Sequence, residues 1–127
     1  MKYKEPTKNI ILDKSFNFSF RIISLYKLLT AQKEFIISKQ ILRPGTSIGA
    51  NVEESTAVQS RKDFLSKITI ASKEARETRY WLKFLNKSQD SKINYDLYLN
   101  EIDEIIRITT AIVKTSKKKI LNSKSLH

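Results

Sequence analysis

Apolar residues recur every three or four positions along this chain, in four separate stretches. In the first, about 9–30, Ile11, Phe18, Ile22, Leu25 and Leu29 form one row, with Leu12, Phe16, Ile23 and Tyr26 beside it. The second, about 35–58, carries Ile37, Ile41, Ile48 and Val52. In the third, about 61–87, Phe64, Ile68, Ala71, Ala75, Thr78, Leu82 and Leu85 share a face; in the fourth, about 95–120, so do Tyr98, Leu99, Ile102, Ile105, Ile106, Ile112 and Val113. A period of 3.6 residues sustained over such lengths predicts amphipathic helices. Ser60 with Asp63 three residues on approximates a capping box for the third, and Asn94 is a candidate N-cap for the fourth. The links, about 31–34, 59–60 and 88–94, are short, and short links make consecutive helices antiparallel neighbours. The pattern therefore predicts an all-α fold: one domain over residues 1–127, an antiparallel up-down-up-down four-helix bundle. The lysine-rich end, about 116–127, is expected to fray into a basic tail.

One stretch strains this pattern. Residues 37–54 read "ISKQILRPGTSIGANVEE" and hold Pro44 with both glycines of the chain, Gly45 and Gly49. A phosphate-binding loop would need a Lys after the second glycine and a strand before the first, and neither is present. A break at Pro44-Gly45 is the stronger alternative, because Pro removes the bond to the Gln40 carbonyl. The apolar spacing nevertheless continues through the stretch, which favours one helix kinked near Pro44. In that helix Gly45, Ser47, Gly49 and Ala50 keep a low surface for a neighbour to approach. A helical Gly costs about 1 kcal/mol, so two of them in one helix imply close packing in return.

Composition narrows the class. With no cysteine there is no disulfide framework, thiolate metal site or cysteine nucleophile, and a reducing, cytoplasmic setting is expected. No run of about 18 apolar residues occurs and no signal peptide is visible, so no membrane role is expected. The formal net charge is +11, a balance that favours polyanionic partners such as RNA or DNA. It is unevenly spread: residues 59–87 carry eight Lys/Arg against three acids, 88–113 two against five, and 114–127 five against none.

Within the third stretch Thr69, Lys73, Arg76, Tyr80, Lys83 and Lys87 follow a 4-3-4-3-4 spacing and share one helix face. They read as a candidate polyanion-binding stripe, with Tyr80 for stacking and the cations for phosphates, joined by Lys117, Lys118 and Lys119. The competing reading is an ordinary solvated face; the clustering and the net charge favour contact with nucleic acid. Glu74 and Glu77 invite a carboxylate-metal reading, but di-iron bundles need Glu-x-x-His motifs and the one histidine is terminal His127. No metal or cofactor is expected. With no internal histidine, nucleophile–base pairs cannot be assembled, and no enzyme activity is expected.

The runs "SKQILRPGTSIGANVEES" (Ser38–Ser55) and "SRKDFLSKITIASKEARETRYWLKFL" (Ser60–Leu85) resemble the four-helix-bundle proteins encoded in intervening sequences of bacterial 23S rRNA genes. "SFNFSFRIISLYKLL" in the first stretch is similar too, so the resemblance covers about residues 10–115. Pro44 stands where the family pattern suggests Ser. The resemblance implies a homo-oligomer, a pentameric ring of bundles, without catalysis. A related branch, the accessory variability proteins of diversity-generating retroelements, binds nucleic acid and a reverse transcriptase; the alternative reading is accordingly a protein-binding scaffold whose acidic fourth helix docks a basic enzyme such as a reverse transcriptase. In such an assembly Arg21, Glu53, Glu74, Glu77 and Arg79 read as ion pairs within or between protomers. Asn51 and Thr46 read as satisfying buried hydrogen bonds, and Trp81 as a core or interface anchor.

Overall fold

The computed structural model describes residues 6–88 and 92–125. Four helices follow in order, α1 Pro6–Ala31, α2 Ile37–Ser55, α3 Arg61–Ser88 and α4 Tyr95–Ser125, and the described residues contain no strand. The helices pack α1 on α2, α2 on α3 and α3 on α4, and α1 meets α4 more sparingly to complete the circle; among the described residues the backbones of diagonal helices stay apart. That is an up-and-down bundle, and its core is the set of predicted rows: Ile11, Phe18, Ile22, Leu25, Leu29, Ile41, Ile48, Val52, Ile68, Leu82, Leu85, Ile102 and Ile105 are sealed from solvent. Each such side chain contributes about 1.5–3 kcal/mol on burial, so the rows dominate the stability of the bundle.

The ends of the helices follow from local chemistry. Ser60 Oγ accepts the Asp63 N–H at 3.1 Å and caps α3, while Asn94 Oδ1 accepts the Asp96 N–H at 3.0 Å before α4. At the α1–α2 turn Lys33 sits at φ 66°, and the Glu34 N–H reaches back to the Leu29 carbonyl at 2.8 Å. The Lys33 N–H bonds the Thr30 carbonyl at 2.9 Å, so the pair closes α1 as a Schellman motif with Lys where Gly is usual. The Glu34 carboxylate then accepts the N–H groups of Ile36, Ile37 and Ser38 at 3.3, 3.1 and 2.7 Å, satisfying the open donors that start α2.

α2 runs unbroken through Pro44, as the apolar spacing predicts, and Pro44 is itself buried. One boundary departs from expectation. The lysine-rich end expected to fray from about 116 is helical through Ser125, because Ser116 is buried and Ile120 is half-buried. His127 lies outside the described residues.

The glycines explain why α2 tolerates its own composition. A Cβ at Gly45 would stand 2.7 Å from Ile22 Cγ2 and 2.9 Å from its Cγ1; one at Gly49 would stand 3.1 Å from the Ser15 carbonyl oxygen. Both positions let the α2 backbone press against α1.

Candidate nucleic-acid interface

The register of α3 against α4 is set by two polar contacts. Arg79 Nε donates to Asp103 Oδ1 at 2.6 Å, and Arg76 Nη2 donates to Thr110 Oγ1 at 3.1 Å. These place the cation-bearing edge of α3 beside α4, and Lys73, Lys83 and Lys87 stand exposed along it. Because the helices are antiparallel, Lys117 and Lys118 lie beyond Lys73, at the opposite end from Lys87; Lys119 is exposed on the same turns of α4.

The opposite edge of α3 is of different character. Arg43 of α2 stands 3.1 Å from Glu74 Oε2 and donates to Glu77 Oε1 at 3.4 Å, and Glu77 also accepts the Trp81 indole N–H at 3.3 Å. Trp81 is half-buried against the core and holds the Tyr80 ring edge-on at 4.9 Å; Phe84 flanks Tyr80 at 6.5 Å. Tyr80 is exposed, as a base-stacking residue must be, but its ring already belongs to a three-residue aromatic cluster.

The remaining predicted polar positions are accounted for within the chain, Glu53 excepted. Arg21 pairs with Glu101 at 2.6 Å, and Lys14 with Glu104 at 2.9 Å, bridging α1 and α4. Lys67 pairs with Glu54 at 2.7 Å. Asn51 Nδ2 donates to the Ser47 carbonyl at 2.9 Å and Thr46 Oγ1 to the Leu42 carbonyl at 2.8 Å. The Glu53 carboxylate is exposed and makes no ion pair among the described residues. Between α1 and α4 a cavity of about 150 Å³ is lined by Lys14, Asn17, Arg21, Glu101, Glu104 and Ile105. Tyr98, next to Arg21 and Glu101, has its hydroxyl pKa raised, mainly by burial; the Arg21 charge pulls the other way and Glu101 adds to the rise. Among the described residues no three His, Asp or Glu side chains cluster in a way that could hold a metal, and no helix is long and apolar enough to cross a membrane.

Pairing has a consequence for charge. Glu54, Glu74, Glu77, Glu101, Asp103 and Glu104 are each matched by a cation of a neighbouring helix. The acidic sum over residues 88–113 is therefore met in large part at helix seams: Glu101, Asp103 and Glu104 are paired there, while Asp96 is exposed and Asp90 lies outside the described residues. That sum also conceals Arg107, which with Lys114 and Lys118 makes an exposed outward row along α4. Arg107 and Lys114 were not picked out by the sequence-based stripe. The spacing of seven residues from Arg107 to Lys114 and four from Lys114 to Lys118 was the available signal, masked at Arg107 by averaging charge over residues 88–113.

The fold and this surface define an antiparallel helical bundle with a cationic outer face on α3 and α4. Residues 7–111 match the family model of the 23S rRNA-intervening sequence proteins. The chain belongs to that family. It is also similar to a crystal structure from Bacteroides thetaiotaomicron, described as a protein of unknown function from the S23 ribosomal protein family. The two share 47% identity with a TM-score of 0.80, over 85% of this chain and 98% of that one. No curated protein matches the chain.

Proposed function

We propose that this protein is a non-catalytic bundle that presents the α3–α4 surface to RNA or DNA and works as a homo-oligomer. The observation that carries the reading is the segregation of charge. Six carboxylates pair with five cations at helix–helix seams, while Lys73, Lys83, Lys87, Lys114, Lys117 and Lys118 stand exposed on two adjacent helices. Such a surface binds phosphates with affinity and little sequence choice. A pentameric ring is the assembly that the family resemblance implies. Supporting self-association, Phe16 and Phe20 stack edge-on at 5.2 Å on the outer face of α1, 61% and 59% exposed, with Ile23 one turn on. Bundled faces normally keep residues of this size covered.

The same aromatic ridge favours a second reading, a scaffold that docks a nucleic-acid enzyme such as a reverse transcriptase. An acidic α4 is not its basis, since Glu101, Asp103 and Glu104 are already paired. Binding of labelled RNA and DNA at low and moderate salt decides between the readings. Each phosphate contact contributes about 0.7–0.9 to the slope of log K against log salt. Lys73→Gln, Lys83→Gln and Lys87→Gln together should weaken binding to all sequences alike and flatten that slope. Absence of binding to any nucleic acid at low salt favours the scaffold.

A further inference from the structure

We infer that the α3–α4 face is shaped for double-stranded nucleic acid, with Arg107, Lys114 and Lys118 of α4 as a second phosphate-contacting row beside the α3 stripe. The inference rests on the nucleic-acid reading above and says which form of the polymer is bound and by what.

Two rows of cations stand on neighbouring helices. On α3 the row Lys73, Lys83, Lys87 extends about 21 Å at 1.5 Å per residue, and on α4 the row Arg107, Lys114, Lys118 extends about 17 Å. All six side chains are exposed and none is held in an ion pair among the described residues. Packed helices have axes about 8–10 Å apart, and the bonds Arg79–Asp103 and Arg76–Thr110 hold these two in contact and in register. Lys73 therefore comes opposite the Arg107–Lys114 segment, and the rows overlap there before running on in opposite directions. Axes that close set the two rows side by side, and flexible Lys and Arg side chains can spread from them to phosphates of either strand. Phosphates on both sides of one groove can thus be met at once, one strand by each row.

The α4 row carries no aromatic side chain on which an unpaired base could stack; the exposed rings beside it, Tyr80 and Phe84, both belong to α3. Asp103, Thr110 and Arg76 are bonded to one another's helices. Tyr80, the one aromatic side chain in the stripe, is flanked by Trp81 at 4.9 Å and Phe84 at 6.5 Å. Proteins that hold single strands combine cations with open aromatic platforms, and base stacking supplies much of their affinity. Here the cations span both helices, whereas the exposed rings are confined to α3, where Tyr80 is in edge contact with Trp81.

The test compares duplex RNA, duplex DNA and single strands of one length and sequence, titrated against the intact protein at several salt concentrations. Both duplexes, or one of them, should bind at least about tenfold more tightly than the single strand. Arg107→Gln, Lys114→Gln and Lys118→Gln together should cut duplex affinity at low salt by about tenfold or more, and lower the salt slope by about two to three contacts. Circular dichroism on the variant establishes that the helices are intact. Tyr80→Ala should change either affinity by less than about twofold. Tighter binding of the single strand, lost in Tyr80→Ala and untouched by the α4 variant, overturns the inference and leaves the nucleic-acid reading standing. No binding of any form at low salt overturns both.

Discussion

Replacing Gly45 by Ala sets two opposed effects against each other, and the structure decides the sign. At an exposed helical site Gly→Ala stabilises by about 0.8–1 kcal/mol, through helix propensity alone. At Gly45 the new methyl would stand 2.7 Å from Ile22 Cγ2 and 2.9 Å from Cγ1, inside any real carbon–carbon contact. Ile22 is fully buried and β-branched, so it cannot swing aside within a helix. Overpacking of this kind costs roughly 1–3 kcal/mol. The balance is a net destabilisation of about 1 kcal/mol, a fall in Tm of roughly 2–8 °C for a domain of this size. Denaturant unfolding followed by circular dichroism at fixed protein concentration measures it. A double-mutant cycle isolates the cause: Ile22→Ala removes both offending carbons and should cost less in the Gly45→Ala background than in the parent. Stabilisation of the single variant by about 1 kcal/mol, as at a solvent-facing glycine, would refute the close-packing account of α2.

Other outcomes follow from single features. Lys33 holds φ 66° at the C-terminus of α1, a conformation that costs a side-chain-bearing residue about 1–2 kcal/mol; Lys33→Gly should therefore raise stability, by up to about 1 kcal/mol after the added unfolded-state entropy, and a loss would mean the Lys side chain makes a compensating contact. The raised pKa of Tyr98 means its hydroxyl ionises less readily folded than unfolded, so its contribution is fully present below pH 10 and is lost as pH rises through the folded value. Ultraviolet titration should show a late-ionising component that Tyr98→Phe removes; identical titration curves would contradict it. If the family's ring forms here, sedimentation should give five times the chain mass of 14.8 kDa, and Phe16→Ser with Phe20→Ser should dissociate it; a parent protein that sediments as a monomer at micromolar concentration would count against assembly.

The bundle was legible in the sequence because it rests on local rules. A 3.6-residue apolar period, a Ser60 cap and short links are written within a few residues of where they act, and the central rows they predict are buried; Phe16 and Ile23, read as flanking the first row, instead face outward on α1. Passage of α2 through Pro44 was legible too, since apolar spacing on either side stayed in phase. What the sequence could not decide depended on which residues of different helices meet. Whether Gly45 and Gly49 face a neighbour or solvent became known only with Ile22 and Ser15 against them. The lysine-rich end looked like a solvated tail because charge argues for fraying, but Ser116 and Ile120 turned inward hold it helical. Most of all, the cationic surface was decided in three dimensions. Summed along the chain, the region around Arg107 is acidic; in the folded bundle its carboxylates turn to Lys14, Arg21 and Arg79 on flanking helices. Electrostatic neighbours are set by helix packing rather than by sequence distance. That is why the α4 row emerged only when the four helices were placed side by side.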